Sequence, residues 1–96
     1  MDESKKAIKE LSAVLAESND TALIEDFLCS LLTPNEIKEV ASRWALVKLI
    51  TEGMSQRKIA EKLGLSLCKI TRGSRELKKE NSSFKSMIDL YSQLED

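Results

Sequence analysis

Residues 55–79, SQRKIAEKLGLSLCKITRGSRELKK, constrain the fold more than any other stretch of the chain. They read as two short helices joined by a tight turn. The Ser55 hydroxyl accepts a free backbone N–H at the start of the first helix. Ile59, Ala60 and Leu63 follow at helical spacing on one face. Gly64 stops that helix, because glycine adopts the left-handed backbone a helix end needs. Ser66 caps the second helix, in which Ile70 and Leu77 lie one and two turns on. Ala60 is small enough for the second helix to cross the first closely, and Ile70 pins the crossing from the other side. This is the layout of a helix-turn-helix, a unit whose second helix enters the DNA major groove.

Charge follows the same boundary. Residues 55–79 hold eight bases against two acids, a net +6, while residues 1–54 carry −4 and residues 80–96 carry −3, leaving −1 overall. A basic module in an acidic scaffold is the footprint of phosphate contact at one face. The bland alternative is a solvated basic helix pair.

The rest of the chain points to an all-α single domain of 96 residues with one Pro, three Gly and no strand-like alternation. Cys29 and Cys68 are isolated and there is no His, which excludes the usual zinc patterns and predicts no metal site and a reducing setting. No run of about 18 apolar residues occurs and no signal peptide opens the chain, so a cytoplasmic protein without a membrane partner is expected. Catalysis is not expected either, since no nucleophile–base set is present.

Taken in order, residues 3–17 form an amphipathic helix with Ile8, Leu11 and Leu15 as its stripe, widened by Ala7 and Val14. Asn19 or Asp20 caps a second helix, with Ile24, Phe27, Leu28 and Leu31 on its inner face. Thr33-Pro34-Asn35-Glu36 is a strong helix start, combining a capping threonine, proline at the first position and a glutamate that reaches back. That third helix runs to about Glu52 and ends at Gly53. Ile37, Val40, Ala41, Trp44 and Val47 lie on one side of it, and Ala45, Leu46, Leu49 and Ile50 fill most of the rest. A helix apolar nearly all round is buried nearly all round, and so small a chain has few neighbours for it. A second copy of the chain is therefore expected against it. From Ser83 a last helix is expected, with Met87, Leu90, Tyr91 and Leu94 inward.

Two arginines stand out. Arg43 falls between Leu46 and Val47 by helical angle, which predicts a buried guanidinium in need of an anion. Its partner is Glu39 one turn earlier, a ligand carboxylate or a DNA phosphate. In the second basic helix, Lys69, Arg72, Gly73 and Glu76 share a face. Gly73 costs about 1 kcal/mol inside a helix, but it leaves room for a ligand or another backbone. Arg72 and Glu76 flank that gap with opposite charges, as the carboxylate and ammonium of a free amino acid require. The plain alternative is a surface Arg–Glu pair worth about 0.3 kcal/mol.

LLTP (31–34), Arg43, MSQR (54–57), LG (63–64) and ITRGS (70–74) together resemble the bacterial tryptophan repressor family, from about Leu31 to Lys79 without a large gap. The resemblance implies an all-helical, intertwined homodimer: residues 1–53 as dimerisation helices, 54–80 as the reading head, 81–96 as a further dimerisation helix. It implies a DNA-binding transcriptional repressor of a palindromic operator, with L-tryptophan as corepressor and no other cofactor. By position, Arg72 is implied at the tryptophan carboxylate with Thr33 beside it. Arg43 is implied on one face of the indole, near Leu46, with Gly73 leaving it room. The carbonyls near Ser30 and Leu32 are implied at the ammonium from across the dimer. For DNA, Arg57 is implied at a base edge. Gln56, Leu67, Cys68, Lys69, Thr71 and Arg72 are implied at the groove, and Lys78 near phosphate.

Three departures from the family pattern matter. Glu76 replaces a serine that touches the ammonium, Lys69 replaces a threonine, and one residue is missing after Gly53. They leave open an alternative, a regulator of the same superfamily with another effector or none.

Overall fold

The computed structural model describes residues 2–95. Among them six helices and no strand are found: α1 (Glu3–Glu17), α2 (Thr21–Leu31), α3 (Pro34–Thr51), α4 (Gln56–Leu63), α5 (Leu67–Lys78) and α6 (Ser83–Glu95). The all-α class and the element boundaries follow the sequence reading closely. The chain divides into two compact units, one up to Ile37 and one from Lys38 onward.

In the first unit the side chains specify where helices begin. The Asp2 carboxylate accepts from the Ser4 N–H, and Asp20, the second of the two candidate caps, accepts from the Leu23 N–H at 3.1 Å. At the start of α3 the Thr33 hydroxyl accepts from the Glu36 N–H at 3.2 Å, and the Glu36 carboxylate accepts from the Thr33 N–H at 2.8 Å. This reciprocal pair is the expected capping box. The backbone N–H of Thr33, with its hydroxyl second, holds the Glu36 carboxyl below its ordinary value. The expected apolar faces exist as stripes but are not buried. Neither α1 nor α2 has a buried residue, and Ile8, Val14, Phe27, Leu28 and Leu31 are exposed.

The second unit holds the core. Leu46 from α3, Ile59 from α4 and Ile70 from α5 form its centre, with Ile59 and Ile70 fully buried. Leu49, Ile50, Met54, Ala60, Leu63 and Leu65 pack around them. The helix-turn-helix is therefore fastened to the end of α3 by the two isoleucines its pattern singled out. Its caps are also as expected. Ser55 accepts from the Lys58 N–H at 3.2 Å and Ser66 from the Lys69 N–H at 3.3 Å, while Gly64 takes φ +64° and ψ 33°.

The link from α3 to α4 is only Glu52-Gly53-Met54 before the Ser55 cap. It closes because Gly53 adopts φ +92° and the Met54 N–H reaches back to the Leu49 carbonyl at 3.1 Å. A side chain at Gly53 would be strained by that backbone rather than by crowding.

For α6 the expected inner stripe is corrected. Ile88, not singled out in the sequence, is the buried residue, with Phe84 and Tyr91 half-buried on the same side. Met87, Leu90 and Leu94 are exposed, at 57%, 53% and 85%. The helix is apolar on two faces; it packs against α5, and the face of Ile88 is the buried one. Tyr91 meets Trp44 edge-on with ring centroids 5.9 Å apart, and the Lys48 ammonium lies 5.1 Å from the Tyr91 ring centre.

Candidate functional site

Within the second unit, α3 and α5 form the walls of an open cavity of about 470 Å3. Its apolar lining is Leu46, Val47, Leu65 and Phe84, and Gly73 contributes bare backbone. Around these stand Lys38, Glu39 and Arg43 from α3, and Lys69, Arg72 and Glu76 from α5. Of the residues the sequence assigned to a ligand, Arg43, Leu46, Arg72, Gly73 and Glu76 thus share one cavity. The spacing argument had put Lys69, Arg72, Gly73 and Glu76 on one face, and all four line it.

Ser30, Leu32 and Thr33 are not in that lining. They sit at the α2–α3 junction of the first unit, where the Leu32 N–H donates to the Leu28 carbonyl at 3.0 Å and Thr33 caps α3.

One local expectation is corrected, and two alternatives that the sequence left open are narrowed. Arg43 is not buried: its side chain is 71% exposed and lies 3.9 Å from Glu39, the plain partner. Leu46 and Val47 beside it point into the core, while the long guanidinium stem carries the charge out to water. Arg72 and Glu76 do not pair. Glu76 instead binds the Lys79 ammonium at 2.8 Å, because Lys79 at the end of α5 reaches back over one turn. Finally, the space that Gly73 frees is used within the chain. A Cβ there would stand 2.9 Å from Leu46 Cδ2 and 3.8 Å from Ile50 Cδ1, so glycine sets the close approach of α5 to α3.

The residues assigned to DNA lie on α4 and α5, and Lys69 also lines the cavity. Gln56 and Arg57 open α4, and Leu67, Cys68 and Lys69 open α5; all five are exposed. The Thr71 hydroxyl donates to the Leu67 carbonyl at 2.8 Å, and Lys78 is exposed on the last turn of α5. Leu67, Cys68, Thr71, Arg72, Arg75, Glu76 and Lys79 line a shallow groove along α5. Arg75 and Lys79 were counted in the basic module but not assigned to a site. Their spacing from Cys68 and Arg72 was the available signal. Val47, Leu65 and Phe84 were also missed as cavity residues; Phe84 carried no signal, since its role depends on where α6 packs.

The description of the Trp repressor protein family matches residues 6–92. This chain belongs to the Trp repressor family. A Trp operon repressor homolog of Chlamydia trachomatis serovar L2 is 41% identical over 66 residues, covering 68% of this chain and 70% of the relative. One from Chlamydia caviae is 42% identical over 64 residues, covering 66% and 63%. One from Vibrio parahaemolyticus is 31% identical over 83 residues, covering 85% and 81%. No solved structure matches the chain. Trp repressor family proteins are DNA-binding transcription regulators, not enzymes. No helix among the described residues is long and apolar enough to cross a membrane.

Proposed function

We propose that this chain represses transcription by binding a palindromic operator as a homodimer, with L-tryptophan as corepressor, in the cytoplasm. The observation that carries the reading is the meeting of Arg43 and Arg72, from separate helices, at one cavity whose second wall is the helix that faces DNA. A guanidinium binds a carboxylate through two parallel N–H donors and also stacks on aromatic faces. Arg72 therefore takes the tryptophan carboxylate, and Arg43 covers the indole. Leu46 and the Gly73 backbone supply apolar contact. Glu76 takes the ammonium, together with the Ser30 and Leu32 carbonyls of a second copy.

The second copy is supported by apolar surface that one chain leaves uncovered. Ile8 and Val14 on α1, Val40 on α3, and Met87, Leu90 and Leu94 on α6 are all about half exposed or more. In this reading residues 1–53 and 81–96 intertwine with their counterparts, and residues 54–80 form the reading head. Sedimentation at micromolar concentration should show a dimer; monomer alone would remove the symmetric operator from the proposal. Two-fold symmetry places the half-sites about one helical turn apart, a geometry general to helix-turn-helix dimers, Trp repressors among them.

On DNA, Arg57 meets a base edge, Gln56, Leu67, Cys68, Lys69, Thr71 and Arg72 lie at the groove, and Lys78 lies near phosphate. Arg57→Ala should weaken operator binding by about 1–3 kcal/mol and relax base preference at one position. Calorimetry should show unchanged tryptophan binding in that variant.

The deciding experiment is titration of the purified protein with L-tryptophan, paired with a gel shift on a tryptophan-operon-like palindrome. Binding of tryptophan that strengthens the shift is expected. Equal shifts with and without it would remove the corepressor. One observation favours a second reading, a family regulator with a different effector: the carboxylate of Glu76 lines the cavity and adds a negative charge there. Titration across amino acids and indole derivatives separates the two.

A further inference from the structure

We propose that Glu76 is shared between the ligand and the DNA-facing groove. Its carboxylate pairs either with Lys79 or with a cationic amine on the ligand. An amine-bearing ligand thereby frees Lys79 for a phosphate, and a ligand without the amine does not. The inference rests on the cavity being the effector site.

Glu76 lines both the cavity and the outer groove of α5. It is the groove's only acid among the described residues, where it stands with Arg72, Arg75 and Lys79. Its Oε1 holds the Lys79 ammonium at 2.8 Å, with the two side chains 32% and 62% exposed. An ion pair this open to water is weak and easily exchanged. The other acid at the cavity, Glu39, already faces Arg43. Arg72 and Glu76 are one helical turn apart, a spacing of about 5–6 Å between their Cβ atoms. An α-amino acid carries its carboxylate and ammonium on one carbon, so a carboxylate on Arg72 brings the ammonium towards Glu76. Once the ligand holds Arg72 through its carboxylate and Glu76 through its ammonium, the groove is left with two cations, Arg75 and Lys79, and no competing acid.

The test uses two probes on the full-length protein: L-tryptophan, and 3-indolepropionate, which is the same molecule without its amine. The DNA is a palindromic duplex selected from a randomised pool with tryptophan-loaded protein. Duplex affinity is measured across salt concentrations at saturating ligand. Each phosphate neutralised adds about 0.9 to the slope of log affinity against log salt. The slope with tryptophan should therefore exceed that with 3-indolepropionate by about 0.9 per reading head. Glu76→Gln should give the steeper slope with both probes, and Lys79→Gln the shallower slope with both. Equal slopes for the two probes in the unmodified protein would overturn the proposal, as would a difference that survives Lys79→Gln. Absence of heat on titration with either probe would instead overturn the reading of the cavity as an effector site.

Discussion

Ile70→Ala is expected to remove about 2–5 kcal/mol from the unfolding free energy, the range for truncating a buried isoleucine. Ile70 is completely buried where α3, α4 and α5 meet, so its loss leaves a cavity that none of the three helices can close alone. Small domains have only about 5–15 kcal/mol in total. Urea unfolding followed by circular dichroism checks the prediction. Leu67→Ala is the control. Leu67 is three residues earlier on the same helix but 58% exposed, and its truncation should change stability by less than about 0.5 kcal/mol. If Ile70→Ala behaves like Leu67→Ala, the head is not held through this core.

Arg72→Ala is expected to weaken ligand and operator binding together. Arg72 lines the cavity and the outer groove, and among the described residues its charge is not taken up by an ion pair. A hydrogen bond to a charged group contributes about 1.5–3 kcal/mol, which is roughly ten- to 150-fold in affinity. Calorimetry with L-tryptophan and a gel shift should both fall in that range. Arg72→Lys keeps the charge but not the two-pronged geometry, so it should recover more of the DNA affinity than of the ligand affinity. Loss of DNA binding with ligand binding intact would show that Arg72 serves only the outer face.

What the sequence made legible was whatever is decided within a few residues. Asp20, Thr33, Ser55 and Ser66 each cap a helix because a short oxygen-bearing side chain stands beside an unsatisfied N–H, and Glu36 completes its box three residues later. Gly64 announced a left-handed stop, and Ile59 and Ile70 announced the crossing they pin. The gathering of Arg72, Gly73 and Glu76 needed only helical geometry. What failed to show was anything decided by choice among neighbours. Arg43 had apolar residues on both sides in angle, yet its stem is long enough to escape them. Glu76 had Arg72 four residues before it and Lys79 three after, both within helical reach, and it took Lys79. On α6 two apolar faces competed for burial, and Ile88 took a place that Met87, Leu90 and Leu94 had been expected to fill. Helical periodicity finds a stripe, but it does not say which of two stripes meets a neighbour first.

The three-residue connection between α3 and α4 has a mechanical consequence. A strap tied down by its own Met54–Leu49 bond fixes α4 and α5 closely to the end of α3 instead of hanging them on a loose tether. Any change in the angle of these two helices to α3 would have to be accommodated at the contact where the Gly73 backbone meets Leu46, which has no room for even one added methyl group.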